Sequence, residues 1–204
     1  ASGNTQTFGI GARLDSDYGN KIRNYDFYLS YNNTTKKDQK IVDETKLGLE
    51  YDSRFFEQLS WYSKTDLEND KLEEIDIRAT SALGLKYSWI ENTRYKLAVR
   101  SGLAFRFEEY GLSNAENVDA LAMDFGLEYS HKIKNLLSLQ SDITFIPSLE
   151  KFSDFLISKD TALVIPLDKE SNWNLRAGLD GTYNSTPVKN KEELDLKYYM
   201  RIVY

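Results

Sequence analysis

The chain has 204 residues, 26 Lys and Arg against 32 Asp and Glu, a net charge of −6, and 41% hydrophobic residues. That balance excludes a disordered chain and argues against nucleic acid as a partner, because phosphate binding needs a basic surface. The absence of cysteine removes disulfides, thiolate metal sites and a cysteine nucleophile together, and no run approaches the ~18 consecutive apolar residues of a spanning helix.

In chain order, alternation of apolar and polar residues predicts strands near 7–15, 25–32, 45–52 and 57–67. From Ile75 to Tyr87 the alternation is strict: Ile75, Ile77, Ala79, Ser81, Leu83, Leu85 and Tyr87 oppose Asp76, Arg78, Thr80, Ala82, Gly84 and Lys86. Tyr95 to Phe107 repeats it, with Leu97, Val99, Leu103 and Phe105 on one face and Arg100, Gly102, Ala104 and Arg106 on the other. Leu121 to Tyr129 follows, its polar face carrying Ala122, Asp124, Gly126 and Glu128, and further strands fall near 136–146, 155–165, 173–183 and 194–204. The last places Tyr198, Met200, Ile202 and Tyr204 against Tyr199, Arg201 and Val203. Helical spacing is absent, and Pro147, Pro166 and Pro187 sit at strand ends or in connections.

Strands of roughly ten residues exceed the five or six usual in soluble sandwiches and match a tilted membrane strand. The predicted fold is all-β: an antiparallel up-and-down transmembrane β-barrel, nominally of twelve strands with about eleven present, forming one outer-membrane domain over residues 1–204. With the C-terminus at the periplasmic rim, segments near 33–44, 68–74, 108–118, 147–154 and 184–193 lie outside. Those near 16–24, 52–56, 88–94, 130–135 and 166–172 lie inside.

Aromatics on the apolar face then form two belts, as two lipid–water interfaces select. Tyr25, Tyr51, Tyr87, Tyr95, Tyr129, Trp173 and Tyr204 are expected at the periplasmic interface, and Tyr31, Trp61, Phe107, Phe145 and Tyr183 at the opposite one. An odd strand number departs from the even count of single-chain bacterial barrels and starts residue 1 on the extracellular side. A strand rising before Ala1 repairs both, so the chain is expected to lack one N-terminal strand and to leave an open seam or a contact with another chain. Ala1-Ser2-Gly3-Asn4 carries no charged or apolar leader, which implies a processed or truncated form of a secreted protein.

Several segments resemble a known family in their order and spacing. They are Ser2-Gly3-Asn4-Thr5, Asp70-Lys71-Leu72 before Ile75-Asp76-Ile77-Arg78, and Leu83-Gly84-Leu85-Lys86-Tyr87. Pro147-Ser148-Leu149 with Phe152-Ser153-Asp154-Phe155 is closest, followed by Thr161-Ala162-Leu163, Pro166-Leu167 and Tyr183-Asn184-Ser185 with Pro187. Together these resemble the YdiY-like family of salt-induced outer-membrane proteins, a family of unknown function, over essentially the whole chain. The resemblance implies a signal-peptide-bearing barrel with a strand before the Ser-Gly-Asn-Thr segment, and it supplies no catalytic or ligand residues. Lys159 departs from the pattern by falling on the apolar face in mid-strand. A cation at the bilayer midplane costs ~2–4 kcal/mol, so either it lies near the rim or a bulge shifts the register.

The charged face would line the lumen: Arg13, Glu50, Arg78, Arg100, Arg106, Asp124, Glu128, Asp142, Asp160, Arg176, Asp180, Asp195, Lys197 and Arg201. One reading is a narrow pathway for small solutes; the other is a salt-bridged interior that largely fills the barrel. Catalysis lacks a constellation, since the only histidine, His131, falls in a predicted periplasmic turn and neighbouring Ser130 would point to the other face. Asp66-Leu67-Glu68-Asn69-Asp70 imitates the start of a calcium loop without its glycine and reads better as solvated loop acids. Gly9-Ile10-Gly11 is not a nucleotide loop, because no helix follows it. No catalytic, cofactor or metal residue is therefore expected.

The expectation is a non-enzymatic outer-membrane barrel of structural or envelope-stress character. Its partners would be outer-membrane lipid, lipopolysaccharide and, through the C-terminal strand, the barrel-assembly machinery, with divalent cations bridging to lipopolysaccharide at most diffusely. A soluble ligand-binding barrel remains the alternative, and the direction of Leu97, Val99 and Leu103 relative to Arg100 and Arg106 discriminates the two.

Overall fold

The computed structural model describes residues 7–20, 22–36, 39–111, 117–133, 136–167, 173–187 and 191–203. Tyr204 and the Ser2-Gly3-Asn4-Thr5 segment lie outside these. The described chain is strand without helix: β1 (Thr7–Gly19), β2 (Arg23–Lys36), β3 (Gln39–Arg54), β4 (Leu59–Asp70), β5 (Ile75–Glu91), β6 (Tyr95–Tyr110), β7 (Val118–Ile133), β8 (Leu137–Pro147), β9 (Phe155–Pro166), β10 (Asn174–Asn184) and β11 (Leu194–Val203). Each pairs antiparallel with the next in sequence, giving one eleven-stranded sheet that curls into a nearly closed barrel. Among the described residues no ladder joins β1 to β11, which leaves one seam.

Connections alternate between two ends. Those at 20–22, 55–58, 92–94, 134–136 and 167–173 define a lower end, and those at 37–38, 71–74, 111–117, 148–154 and 185–193 an upper one. Side chains that accept backbone N–H bonds set several turns, an inexpensive way to satisfy a tight reversal. Asn20 Oδ1 accepts from Ile22 and Arg23, Asn92 Oδ1 from Arg94 and Tyr95, and Asp70 Oδ1 from Leu72 and Glu73. At the tip of the β4–β5 hairpin Glu74 adopts φ 57°, and the register shifts just beyond it between Ile75 and Ile77.

The eleven strands match the predicted number, but most run longer. β2 and β3 continue pairing through Thr34↔Val42 and Lys36↔Gln39, so the predicted connection over 33–44 shrinks to 37–38. β4 reaches Asp70 and β6 reaches Tyr110, into segments expected to be loops. Those extensions are polar on both faces, which hides the alternation from a hydropathy reading although the backbone still pairs.

Orientation is decided by exposure. Leu103 is 61% exposed and Leu121 58%, whereas Arg106 and Asp124 are each at 1%. Apolar side chains thus point outward all round the barrel and charged ones toward its axis, the reverse of a soluble barrel. The surface totals 13184 Å², against ~9800 Å² expected of a compact 23.6 kDa globule. Apolar contacts alone do not hold the interior: the buried cluster is Tyr62, Ala82, Ala104, Ala122, Ile146 and Leu156, small residues save for one tyrosine and two aliphatics.

Aromatic contacts run along both ends. At the lower end Tyr18, Tyr25, Tyr51 and Trp61 follow one another across β1–β4 with centroid distances of 6.5, 4.7 and 4.9 Å. Trp61 therefore belongs to the Tyr25–Tyr51 end and not to the far one, because β4 begins only at Leu59. At the upper end Phe145, Phe155 and Tyr183 form a similar run. Lys159 does face outward and is exposed, but β9 pairs without a shift on either side, so no bulge accounts for it. It is the fifth residue from the upper end of β9 and lies opposite Gly181, so no cross-strand side chain obstructs its stem there.

Candidate functional site in the barrel interior

Through the middle of the barrel, large inward side chains lie flat along the wall over glycines of the next strand. Tyr28 covers Gly48, Arg100 covers Gly126 and Tyr199 covers Gly178, each pair directly opposite in register. Tyr62 lies over the facing pair Gly84 and Gly102: a Cβ on Gly102 would come within 2.4 Å of the Leu83 carbonyl oxygen and 2.7 Å of the Tyr62 hydroxyl. The tyrosine is wholly buried, and its hydroxyl donates to Asp124 Oδ2 at 2.5 Å.

Arg100 is the hub of this wall. Its Nε donates to Asp124 at 3.1 Å, Nη1 to Glu128 at 3.1 Å and to Asp142 at 3.4 Å, and Nη2 to Thr144 Oγ1 at 2.5 Å. Lys86 sits beside it, bonded to Glu128 at 2.8 Å and shared with Glu50 and Asp52 at 3.4 and 3.2 Å. A second cluster lies near the seam, where Arg176 donates to Asp160 at 2.7 Å, Gln140 at 2.8 Å and Tyr199 Oη at 3.0 Å.

Toward the upper end, wall pairs between neighbouring strands are joined by pairs that cross the lumen. Lys197 on β11 reaches Glu44 on β3 and, at 3.5 Å, Asp70 on β4. Lys46 on β3 bonds Glu44 at 3.2 Å, Glu68 at 3.4 Å and, across the axis, Asp180 on β10 at 3.8 Å. Arg78 joins Glu68 at 2.9 Å to Glu108 at 3.0 Å, and Arg106 joins Glu108 at 2.5 Å to Asp154 at 3.0 Å. Tyr110 also donates to Glu108, which is fully buried. The result is a continuous ion-paired septum.

The septum separates two cavities. Below it a space of 1240 Å³ extends from the lower rim at Asn20 and Asn92 up to Glu68 and Arg78. Above it a 40 Å³ pocket is bounded by Glu68, Asp70, Glu73, Arg78, Tyr110 and Lys191. Glu73, in the 71–74 turn, has its carboxyl pushed above the ordinary glutamate range by burial, with Lys191 opposing the shift. Neither sequence reading of the lumen suffices alone, since the upper part is filled by charge and the lower part is hollow.

All fourteen charges predicted for the interior face inward, and every one except Arg201 enters an ion pair among the described residues. The prediction omitted Glu44, Lys46, Glu68, Asp70 and Glu108, the heart of the septum; all but Lys46, which lies within the predicted 45–52 strand, fall in the polar strand extensions. Continuing the period of two would have found them, since Glu44, Lys46, Gly48 and Glu50 share one face, as do Asp66, Glu68 and Asp70. The latter three are accordingly strand residues and not solvated loop acids. Carboxylate oxygens of Glu44, Glu68 and Asp70 lie within 4.8 Å of one another, a spacing that a divalent ion could bridge. The ammonium groups of Lys46 and Lys197 already stand among them and supply the positive charge.

His131 lies within β7, not in a turn, and stacks on Tyr95 at 4.4 Å on the outer face. Ser130 is on the inward face, as the period of two requires.

The sequence profile of the family described as protein of unknown function, DUF481, matches residues 1–204. No curated protein matches the chain.

Proposed function

The chain belongs to this family, the YdiY-like proteins of unknown function, and from that premise we propose that it is a non-enzymatic barrel of the bacterial outer membrane. Its role is structural or envelope-stress related, with a lumen closed at its outer end. The observation that carries the reading is the inverted exposure: Leu103 at 61% beside Arg106 at 1% on one strand. Water would penalise an apolar belt of this extent by about 25 cal/mol per Å², whereas hydrocarbon does not. Aromatic runs at both ends fit two lipid–water interfaces. Three of the four longest connections, at 111–117, 148–154 and 185–193, share the upper end, with 167–173 at the lower one, and this fits an extracellular upper end, where bacterial barrels carry their longer loops.

The test is folding into phosphatidylcholine vesicles. The chain should float with the vesicles, migrate differently on a gel before and after boiling, and lose ~2–4 kcal/mol on Leu103→Arg, the cost of a cation at the midplane. A chain that folds in buffer without lipid and tolerates Leu103→Arg would refute the membrane reading.

The 1240 Å³ cavity supports a second reading, passage of small solutes when the septum parts. The wild-type chain in a planar bilayer should then be silent or rarely open. Arg78→Met with Lys46→Met, which removes two cations of the septum, should give discrete conductance steps. Silence of both would eliminate the channel.

A further inference from the structure

β9 turns Phe155, Ile157, Lys159, Thr161, Leu163 and Ile165 outward, so a cation interrupts an otherwise lipid-like face. Glu109 and Asp119 also face outward, but each stands second from the upper end of its strand. Lys159 stands fifth, roughly 10 Å below the upper end at a ~3.4 Å rise and ~40° tilt. The ladders on both sides run without a shift, so the pairing of β8, β9 and β10 fixes this position.

Nothing in the described wall neutralises it. Among the described residues its ammonium enters no ion pair, and the polar groups nearby are engaged elsewhere. Asp160, the next residue, points inward and is held by Arg176 at 2.7 Å. Thr161, next below on the outer face, is bonded to Ser141 at 2.8 Å, and Glu193 accepts from the Tyr183 hydroxyl at 2.6 Å. Directly across the two ladders stand Ile143 and Gly181, which offer no charge.

Upward is the favourable direction for the stem, since downward lies more hydrocarbon. Ile157, two residues above, is in register with Phe145 on β8 and Tyr183 on β10. Those rings belong to the upper aromatic run, with Phe155 between them at 5.5 and 5.7 Å. Two residues cover ~7 Å of strand, or about 5 Å along the membrane normal, which an extended lysine spans. The ammonium therefore arrives from the hydrocarbon side at the level where aromatic rings mark the lipid–water interface. The anion that a bilayer offers there is the lipid phosphate.

We propose that Lys159 is the anchor of a lipid site: its ammonium holds the phosphate of an anionic phospholipid beside Phe145, Phe155 and Tyr183, and an acyl chain descends over Ile143 and Leu163. The inference rests on the membrane reading of the belt and adds a specific occupant to it. The chemistry recognised is a phosphate carried on acyl chains and not offset by a choline.

The test folds the chain in detergent micelles doped with phosphatidylglycerol and counts retained lipid by native mass spectrometry. The wild type should keep one phosphatidylglycerol about tenfold more tightly than Lys159→Gln, as one charge-assisted contact implies. Lys159→Arg should keep it too. Lys71→Gln, which changes an exposed lysine in the β4–β5 turn, should bind as the wild type does. Diacylglycerol, which lacks the phosphate, should be held equally weakly by all, and millimolar inorganic phosphate should not displace the lipid. In vesicles, Lys159→Leu should raise the urea midpoint in phosphatidylcholine, where it removes an unpaired cation from the belt. Added phosphatidylglycerol should shrink or reverse that rise.

Equal retention by the wild type and Lys159→Gln, an equal loss on Lys71→Gln, or equal retention of diacylglycerol would overturn the proposal. So would displacement by inorganic phosphate, or the same rise of the midpoint in both kinds of vesicle. Lys159→Gln should still float with vesicles and shift on boiling, so a failed lipid contrast leaves the membrane reading intact, whereas a chain that folds in buffer without lipid removes both.

Discussion

Replacing Arg100 by Met keeps an unbranched apolar stem out to about the position of Nε and removes the guanidinium with its charge and hydrogen bonds. The guanidinium serves three carboxylates that differ in their remaining support. Glu128 keeps Lys86 at 2.8 Å, and its side chain is 31% exposed; Asp142 is 42% exposed. Each loses no more than about 1 kcal/mol, because water replaces the lost partner. Asp124 is 2% exposed and retains only the Tyr62 hydroxyl. Stripping one partner from a buried pair costs ~3–5 kcal/mol, so Arg100→Met should destabilise the barrel by about 4 kcal/mol, nearly all of it through Asp124. Adding Asp124→Asn discharges the stranded carboxylate while its amide still accepts from Tyr62, and should restore about half of the loss. Urea titration of the vesicle-folded protein reports this through Trp61, Trp89 and Trp173, all exposed on the outside. A loss under about 1 kcal/mol for the single variant, or a double variant less stable than the single, would refute the assignment of the cost to Asp124.

Gly102→Ala should cost on the order of 3 kcal/mol in the same titration, because its Cβ meets the Leu83 carbonyl and the Tyr62 hydroxyl and neither can withdraw freely. Tyr62→Phe in the Gly102→Ala background should then add less than it does alone, since the same hydroxyl is already displaced. Glu74→Gly should raise stability by about 1 kcal/mol, since the native φ of 57° strains any side chain; no gain would mean that the Glu74 side chain holds the hairpin. Glu73→Gln should stabilise at pH 7 by under about 1 kcal/mol and have no effect at pH 3. Burial raises the folded pKa of Glu73, so its contribution is intact below the unfolded value of about 4.3 and is lost as pH rises through the folded one. A destabilisation at pH 7 would mean that the contact with Lys191 outweighs burial.

Strand number, direction and facing were legible because alternation through Ile75–Tyr87 and Tyr95–Phe107 is unbroken, and no other secondary structure accommodates a period of two. Which face turns inward was not contained in the alternation itself; it required the aromatic placement, and the exposure of Leu103 agrees with it. The strand ends were illegible where both faces turn polar, as at Thr34–Lys36 and Glu68–Asp70, because hydropathy has no contrast there while backbone pairing does not depend on it. Trp61 was placed at the wrong end because a predicted strand over 57–67 set it near mid-strand, whereas β4 starts at Leu59 and makes it the third residue from the lower end. The septum was missed as a unit because its partners are far apart in sequence: Lys197 and Glu44 are 153 residues apart, and only closure of the barrel brings β11 over β3.

Where the interior is hollow and where it is shut follows from where the glycines stand. Opposite Tyr28, Tyr62, Arg100 and Tyr199 a glycine leaves a trough in the wall, and the large side chain lies down in it instead of projecting to the axis. Above that zone the inward residues are Glu44, Glu68 and Glu108, which offer no trough; Arg78 and Arg106 pair with them along the wall, while Lys197 and the Lys46–Asp180 contact cross the lumen. Ion pairs suit this task better than an apolar plug, because each end of a pair also remains soluble when water enters. The same backbone can therefore hold the lumen shut or wetted with little change in its hydrogen-bonded wall. Lys46 holds both arrangements at once: Glu44 and Glu68 pair it along the wall, and Asp180 on β10 draws it across the axis.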